Sequence, residues 1–130
     1  MISRPNILFI LSDQQRWDTV GAYEPYAPDT PCLDRLASEG CLFRHAFTCQ
    51  PLCGPARSCL QTGRFASQTG CTVNNIALPS DQPTLARLLR RAGYDAGYVG
   101  KWHLASSGTG LDAYHYRPVP REKRGGYDGF

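Results

Sequence analysis

Residues 6–11, NILFIL, lack the alternation of apolar and polar positions that a half-solvated strand requires. A continuous apolar run of this length reads as a strand buried on both faces, as in a parallel sheet. The run stops at SDQQ, so Asp13 and Gln14 stand just past a strand's carboxyl end. In open α/β sheets that edge is where ligands bind. The same run is too short to span a membrane, and no small-residue cleavage site follows it. The chain is therefore expected to be cytoplasmic, with no membrane partner.

Helical signals alternate with further short strands. DTPCLDRLASEG offers Thr30 as a cap, Pro31 at the first helical position, an apolar stripe of Leu33, Leu36 and Ala37, and Gly40 as a stop. CLFRHAF, residues 41–47, predicts a short strand leading into the loop that delivers Cys53. After a Gly/Thr/Asn-rich connection at residues 67–80, PTLARLLRRAG predicts a helix with Leu85, Leu88, Leu89 and Ala92 on one face and Gly93 as terminator. YDAGYVG is a predicted strand with KWHL at its far end, and the sequence beyond Ser106 reads as loop. The order strand, helix, strand, helix, helix, strand points to an α/β layered sheet. Three strands make a poor sheet, so residues 1–130, at most one domain with 42% hydrophobic residues, read as part of a larger fold.

The stretch QPLCGPARSCLQTGR, residues 50–64, places a thiol at the mouth of a predicted helix. Pro55 suits the first turn, Ala56, Leu60 and Gln61 continue it, and Gly63 ends it. A side chain at such a mouth meets unpaired backbone N–H groups and the positive end of the helix dipole, which favour anionic groups. Cys53 therefore sits in a cradle for a reactive or anion-binding group.

Two function classes are disfavoured. A net charge of +3 is too small and too scattered to suggest nucleic acid, and the basic run from Arg117 to Arg124 reads as a solvated tail. The six cysteines, Cys32, Cys41, Cys49, Cys53, Cys59 and Cys71, do not suggest a disulfide scaffold in a chain this long and this rich in regular structure, and with no C-x-x-C pair among them structural zinc is poorly supported.

Three segments bring chemically useful groups to strand or helix ends: Asp13 with Gln14, Cys53 with Arg57, and Lys101 with His103. Taken singly, Asp13 could be a helix cap, Cys53 an inert small hydrophobe, and Lys101 with His103 a solvated pair. Together they supply what hydrolysis of an anionic ester needs: a hard cation site, a nucleophile, and positive charge for leaving oxyanions.

At this point the sequence resembles a family. CGPARSCLQTGR is similar to the sulfatase signature, C-x-P-x-R followed by a T-G-R turn, and PNILFILSDQQRWDTVGAY, TPCLDRLASEG and GYVGKWHL resemble that family's other N-terminal blocks in the same order. The resemblance covers roughly residues 5–104. It implies an alkaline-phosphatase-like three-layer α/β sandwich with a mostly parallel sheet, and hydrolysis of small-molecule or carbohydrate sulfate esters. It also implies that Cys53 is oxidised to formylglycine (3-oxoalanine) by a formylglycine-generating enzyme that reads Pro55 and Arg57. The hydrated aldehyde would then be the nucleophile, its second hydroxyl expelling sulfate. By the same resemblance Asp13, Gln14 and the modified Cys53 face a divalent cation, usually calcium, with magnesium or manganese as alternatives. Cys53, Arg57, Lys101 and His103 are the implied catalytic set. Arg57, Lys101 and His103 also contact the substrate, and His103 orients or deprotonates the hydrate.

Two positions depart from the usual pattern. Gln14 stands where many sulfatases carry a second aspartate, and Ala56 where many carry serine. Both variants occur in phosphonate monoester hydrolases, so a phosphonate or phosphate ester hydrolase is an alternative, and a non-catalytic α/β module is a third. The family's remaining metal ligands, with a further lysine and histidine, have no counterpart in these residues. The chain is thus expected to be an N-terminal portion of a catalytic domain, inactive by itself and prone to self-association.

Overall fold

The computed structural model describes residues 4–106 and 118–129. The chain divides into two compact units, Met1–Ala46 and Phe47–Phe130. In the first, a 3-10 turn at Trp17–Thr19 precedes helix α1, Pro31–Glu39. Thr30 occupies the N-cap position of α1 and Gly40 its C-cap, as the sequence signals require. The Thr30 hydroxyl does not cap the first turn. It accepts the Gly21 N–H at 2.9 Å and donates to Asp34 Oδ1 at 2.9 Å, while that oxygen also accepts the Ala22 N–H at 2.8 Å. This pins the 21–22 loop onto the start of α1. A Cβ on Gly21 would lie 2.7 Å from Asp34 Oδ2, so a side chain there would have to displace that carboxylate from its bonds. Leu33 and Leu36, expected to face a core, are exposed.

The expected sheet does not form among the described residues. Residues 6–11 are assigned no strand, and their apolar side chains face solvent, Leu8 being 85% exposed. The physical reason is partnership. A strand buried on both faces exists only where neighbours take its N–H and C=O groups and cover its sides. Residues 41–47 likewise run as irregular chain with a bend. Among the described residues a parallel bridge between Gly97 and Gly129 remains, flanked by Tyr98 N–H to Gly129 O at 2.7 Å and Asp128 N–H to Ala96 O at 3.2 Å.

The second unit holds α2, Cys53–Thr62, α3, Ala66–Thr69, α4, Leu85–Arg91, and a 3-10 turn at Arg121–Lys123. Its core is Ala86, Trp102, Leu104, Ala105 and Tyr127, with Tyr98, Leu78, Ala96 and Val119 packed around it. Tyr98, Trp102 and Tyr127 meet edge-on or tilted, with centroids 5.1 to 5.9 Å apart. Such pairs contribute about 0.5–1.5 kcal/mol each beyond the area they bury. The Trp102 Nε1–H donates to Lys123 O at 3.0 Å, which ties the 118–129 segment to the chain around Lys101. Thr84 caps α4 by accepting the Arg87 N–H at 3.3 Å, and Gly93 follows with a φ of +83°. The buried residue of α4 is Ala86, while Leu88 of the expected inner face is half exposed. Of the loop expected beyond Ser106, residues 107–117 lie outside the described residues. Residues 118–129 carry the 3-10 turn and the bridge.

Candidate active site

Helix α2 starts at Cys53 itself. Leu52 takes the N-cap position with extended backbone and offers no side-chain acceptor, and Gly63 closes the helix at φ +66°, its N–H reaching Cys59 O at 2.8 Å. The cap comes instead from a distant loop, where Asn74 Oδ1 accepts the Gly54 N–H at 2.8 Å. Gly54 permits that approach, since a Cβ there would stand 3.2 Å from the same oxygen and 3.3 Å from Asn74 Cα.

Lys101 Nζ lies 3.7 Å from Cys53 Sγ. An ammonium beside a helix N-terminus concentrates positive potential around whatever side chain occupies position 53. Arg57, one turn further along α2 and only 8% exposed, donates from Nη1 to Lys101 O at 2.7 Å and reaches Tyr98 Oη at 3.4 Å. The Tyr98 hydroxyl donates to that same carbonyl. Lys101 is thus held by its backbone while its side chain extends to the thiol.

His103 is half-buried, with φ +57°, and its Nε2 lies 3.1 Å from Asn75 Oδ1. Asn75 is also left-handed, at φ +65°. Non-glycine residues in this region carry a cost of about 1–3 kcal/mol each and persist where surrounding contacts enforce them. Asn74 and Asn75, adjacent in sequence, therefore serve the helix mouth at Cys53 and the imidazole of His103 respectively. The second unit links Cys53, Arg57, Lys101 and His103 through these contacts. Burial pushes the Tyr127 hydroxyl, which donates to Gln61 Oε1 at 2.9 Å, above the usual tyrosine range, and burial likewise raises the Cys71 thiol.

Asp13 and Gln14 belong to the first unit, where both are exposed on a bend and Gln14 has φ +54°. Their oxygen donors fit a hard cation, which takes about six to eight such ligands. Among the described residues no cluster of three or more His, Cys, Asp or Glu side chains could hold a metal. A hollow of about 530 Å³ in the first unit, lined in part by Gly21, Ala22, Asp29 and Asp34, includes none of the six candidate residues.

Asn74, Asn75 and Tyr98 escaped sequence reasoning. The available signal was the pair of asparagines in TVNNIAL, since asparagine tolerates the left-handed region.

The sulfatase family's sequence profile matches residues 5–123. The chain belongs to the sulfatase family. This sulfatase chain is 44% identical over 103 residues to the uncharacterized sulfatase YidJ of Escherichia coli, covering 79% of itself and 21% of that protein. It is 36% identical over 125 residues to the N-acetylglucosamine-6-O-sulfatase of Bacteroides thetaiotaomicron, covering 96% of itself and 22% of that enzyme. Its backbone is similar to the crystal structure of yidJ from Bacteroides fragilis, with a TM-score of 0.83 and 34% identity over 95% of this chain and 30% of that one. The sulfatase chain thus spans about a fifth of the length of these curated relatives. Among its described residues, no helix is long and apolar enough to cross a membrane.

Proposed function

We propose that the whole protein hydrolyses sulfate esters, with a formylglycine derived from Cys53 as nucleophile. The observation that carries this reading is the Lys101 ammonium 3.7 Å from the Cys53 sulfur at the first residue of α2, within a sulfatase-family chain. The sulfur stands where the oxygens of a modified side chain would be. Formylglycine there would supply a hydrated aldehyde, one hydroxyl to attack sulfur and the other to release sulfate.

The chain's own residues then have separate tasks. Lys101 neutralises the anion gathering at position 53, helped by the N-terminus of α2. Arg57 and Tyr98 hold the Lys101 carbonyl and so fix where that ammonium points. His103, oriented through Nε2 by Asn75, moves the proton at the nucleophile. Asp13 and Gln14 would hold a divalent cation, calcium by preference, together with ligands from outside these residues. For the whole protein we propose the three-layer sandwich in which residues 6–11 form a paired, covered strand.

Gln14 and Ala56 favour a second reading, hydrolysis of phosphonate or phosphate esters at the same site. The test is the full-length protein co-produced with a formylglycine-generating enzyme. Peptide mass spectrometry should show H₂S exchanged for O at residue 53, and an ester panel should show turnover of sulfate esters. Turnover confined to phosphonate or phosphate esters would establish the second reading. Full activity with an unmodified thiol would sink both.

A further inference from the structure

Cys49 and Cys59 flank Cys53 in sequence, and their sulfurs lie 3.0 Å apart. Both are free thiols, Cys49 exposed on the bend before α2 and Cys59 half-buried on the second turn of that helix. Neither has a place in the hydrolytic reading. The loop that presents Cys49 is held in position, because the Gln50 side-chain amide donates to Thr72 O at 2.7 Å and the Leu52 N–H to Gln50 O at 2.9 Å. The remaining cysteines of this unit are otherwise engaged: Cys71 is fully buried with its sulfur 3.7 Å from Ala77 O, and Cys53 faces Lys101.

We propose that Cys49 and Cys59 form a reversible redox disulfide that closes a ring around residues 50–58, the segment bearing Cys53. The sulfurs need to approach by about 1 Å to reach the disulfide bond length of about 2.05 Å. The oxidant is a small-molecule disulfide of the glutathione class. The exposed Cys49 thiolate attacks one sulfur of that disulfide, its S–S bond breaks, and one small thiol leaves. The Cys59 thiolate then attacks the Cys49 sulfur of the mixed disulfide and expels the second small thiol. Two protein thiols are oxidised by two electrons, the oxidant is reduced to two thiols, and both protons end on those thiols. The order follows from exposure. Cys59 is the less accessible group, and burial together with its contact to Cys49 holds its thiol above the usual range.

The ring would hold the first two turns of α2 against the preceding bend. Reduction would return the segment to the dithiol form seen here, held by the Gln50 and Leu52 bonds.

The test uses the 130-residue chain, reduced, then exposed to oxidised glutathione, alkylated and mapped by peptide mass spectrometry. The expected product has lost two hydrogens and carries one crosslink, Cys49 to Cys59. Cys32, Cys41, Cys53 and Cys71 should enter no crosslink, the exposed Cys32 and Cys41 carrying at most a bound small thiol, and dithiothreitol should reverse the change. In the linked form, amide hydrogen exchange across residues 50–58 should slow at least several-fold. Cys49→Ala, at an exposed position, should leave Cys59 alkylatable under the same treatment. Independent alkylation of both cysteines after oxidation, or crosslinks to Cys53 in comparable yield, would overturn the proposal.

Discussion

Lys101 is anchored at its carbonyl, and its side chain extends to Cys53. Its carbonyl receives the buried Arg57 guanidinium and the Tyr98 hydroxyl, and its ammonium approaches the thiol of Cys53. Arg57→Ala should therefore lower the stability of the chain by about 2 kcal/mol, since a charge-assisted bond to a carbonyl is lost. Tyr98→Phe should cost about 1 kcal/mol, the ordinary value of one neutral hydrogen bond. Urea unfolding of both variants measures the two losses, and equal costs would contradict the assignment. Cys53, Lys101 and His103 could be named as candidates from the sequence because a motif marks them by residue type. Asn74, Asn75 and Tyr98 were not. Their partners Gly54, His103 and Arg57 lie 20, 28 and 41 positions away, and only folding shows which side chain meets which.

Helix α2 is locked from its buried side. Ser58 meets Thr69 at 3.2 Å, and Gln61 accepts the Tyr127 hydroxyl. Burial raises the ionisation points of Tyr127, Cys59 and Cys71, so the unfolded chain loses these protons before the folded chain does. Their contribution is whole below the unfolded values and is lost as pH rises through the folded ones. Under reducing conditions the thermal midpoint should thus begin to fall above about pH 8.5, the ordinary thiol value, and continue to fall past about pH 10, that of tyrosine. Tyr127→Phe should remove the upper part of that decline while costing about 1 kcal/mol at neutral pH through the unpaired Gln61 oxygen. A midpoint that rises between pH 9 and 10, roughly the range in which these groups ionise, would refute the sign. The helix ends were readable because caps and breakers act locally, as Pro31, Gly40, Gly63 and Gly93 illustrate. The buried faces were not, because Leu33, Leu36 and Leu88 are covered or bare according to what packs on them.

Ile7, Leu8, Phe9, Ile10 and Leu11 form a contiguous exposed apolar segment in the first unit. Such a surface drives association when nothing covers it. The isolated 130-residue chain should show a scattering size that grows with concentration, and replacing Leu8 and Ile10 by lysine should suppress that growth. A monodisperse monomer at high concentration would defeat this expectation. The apolar run was plain in the sequence, but the ladder it implied was not formed among the described residues. Strand pairing joins segments far apart in a chain, and the curated relatives are roughly five times as long as this one.

The two tryptophans divide between the units. Trp17 is 64% exposed in the first, and Trp102, enclosed by the edges of Tyr98 and Tyr127, is 4% exposed in the second. Each unit therefore carries its own optical reporter, a red-shifted emitter in water and a blue-shifted one in an aromatic cage. A single emission spectrum, followed at its two edges during denaturation and repeated on Trp17→Phe, distinguishes melting of one unit from melting of the other without any added label.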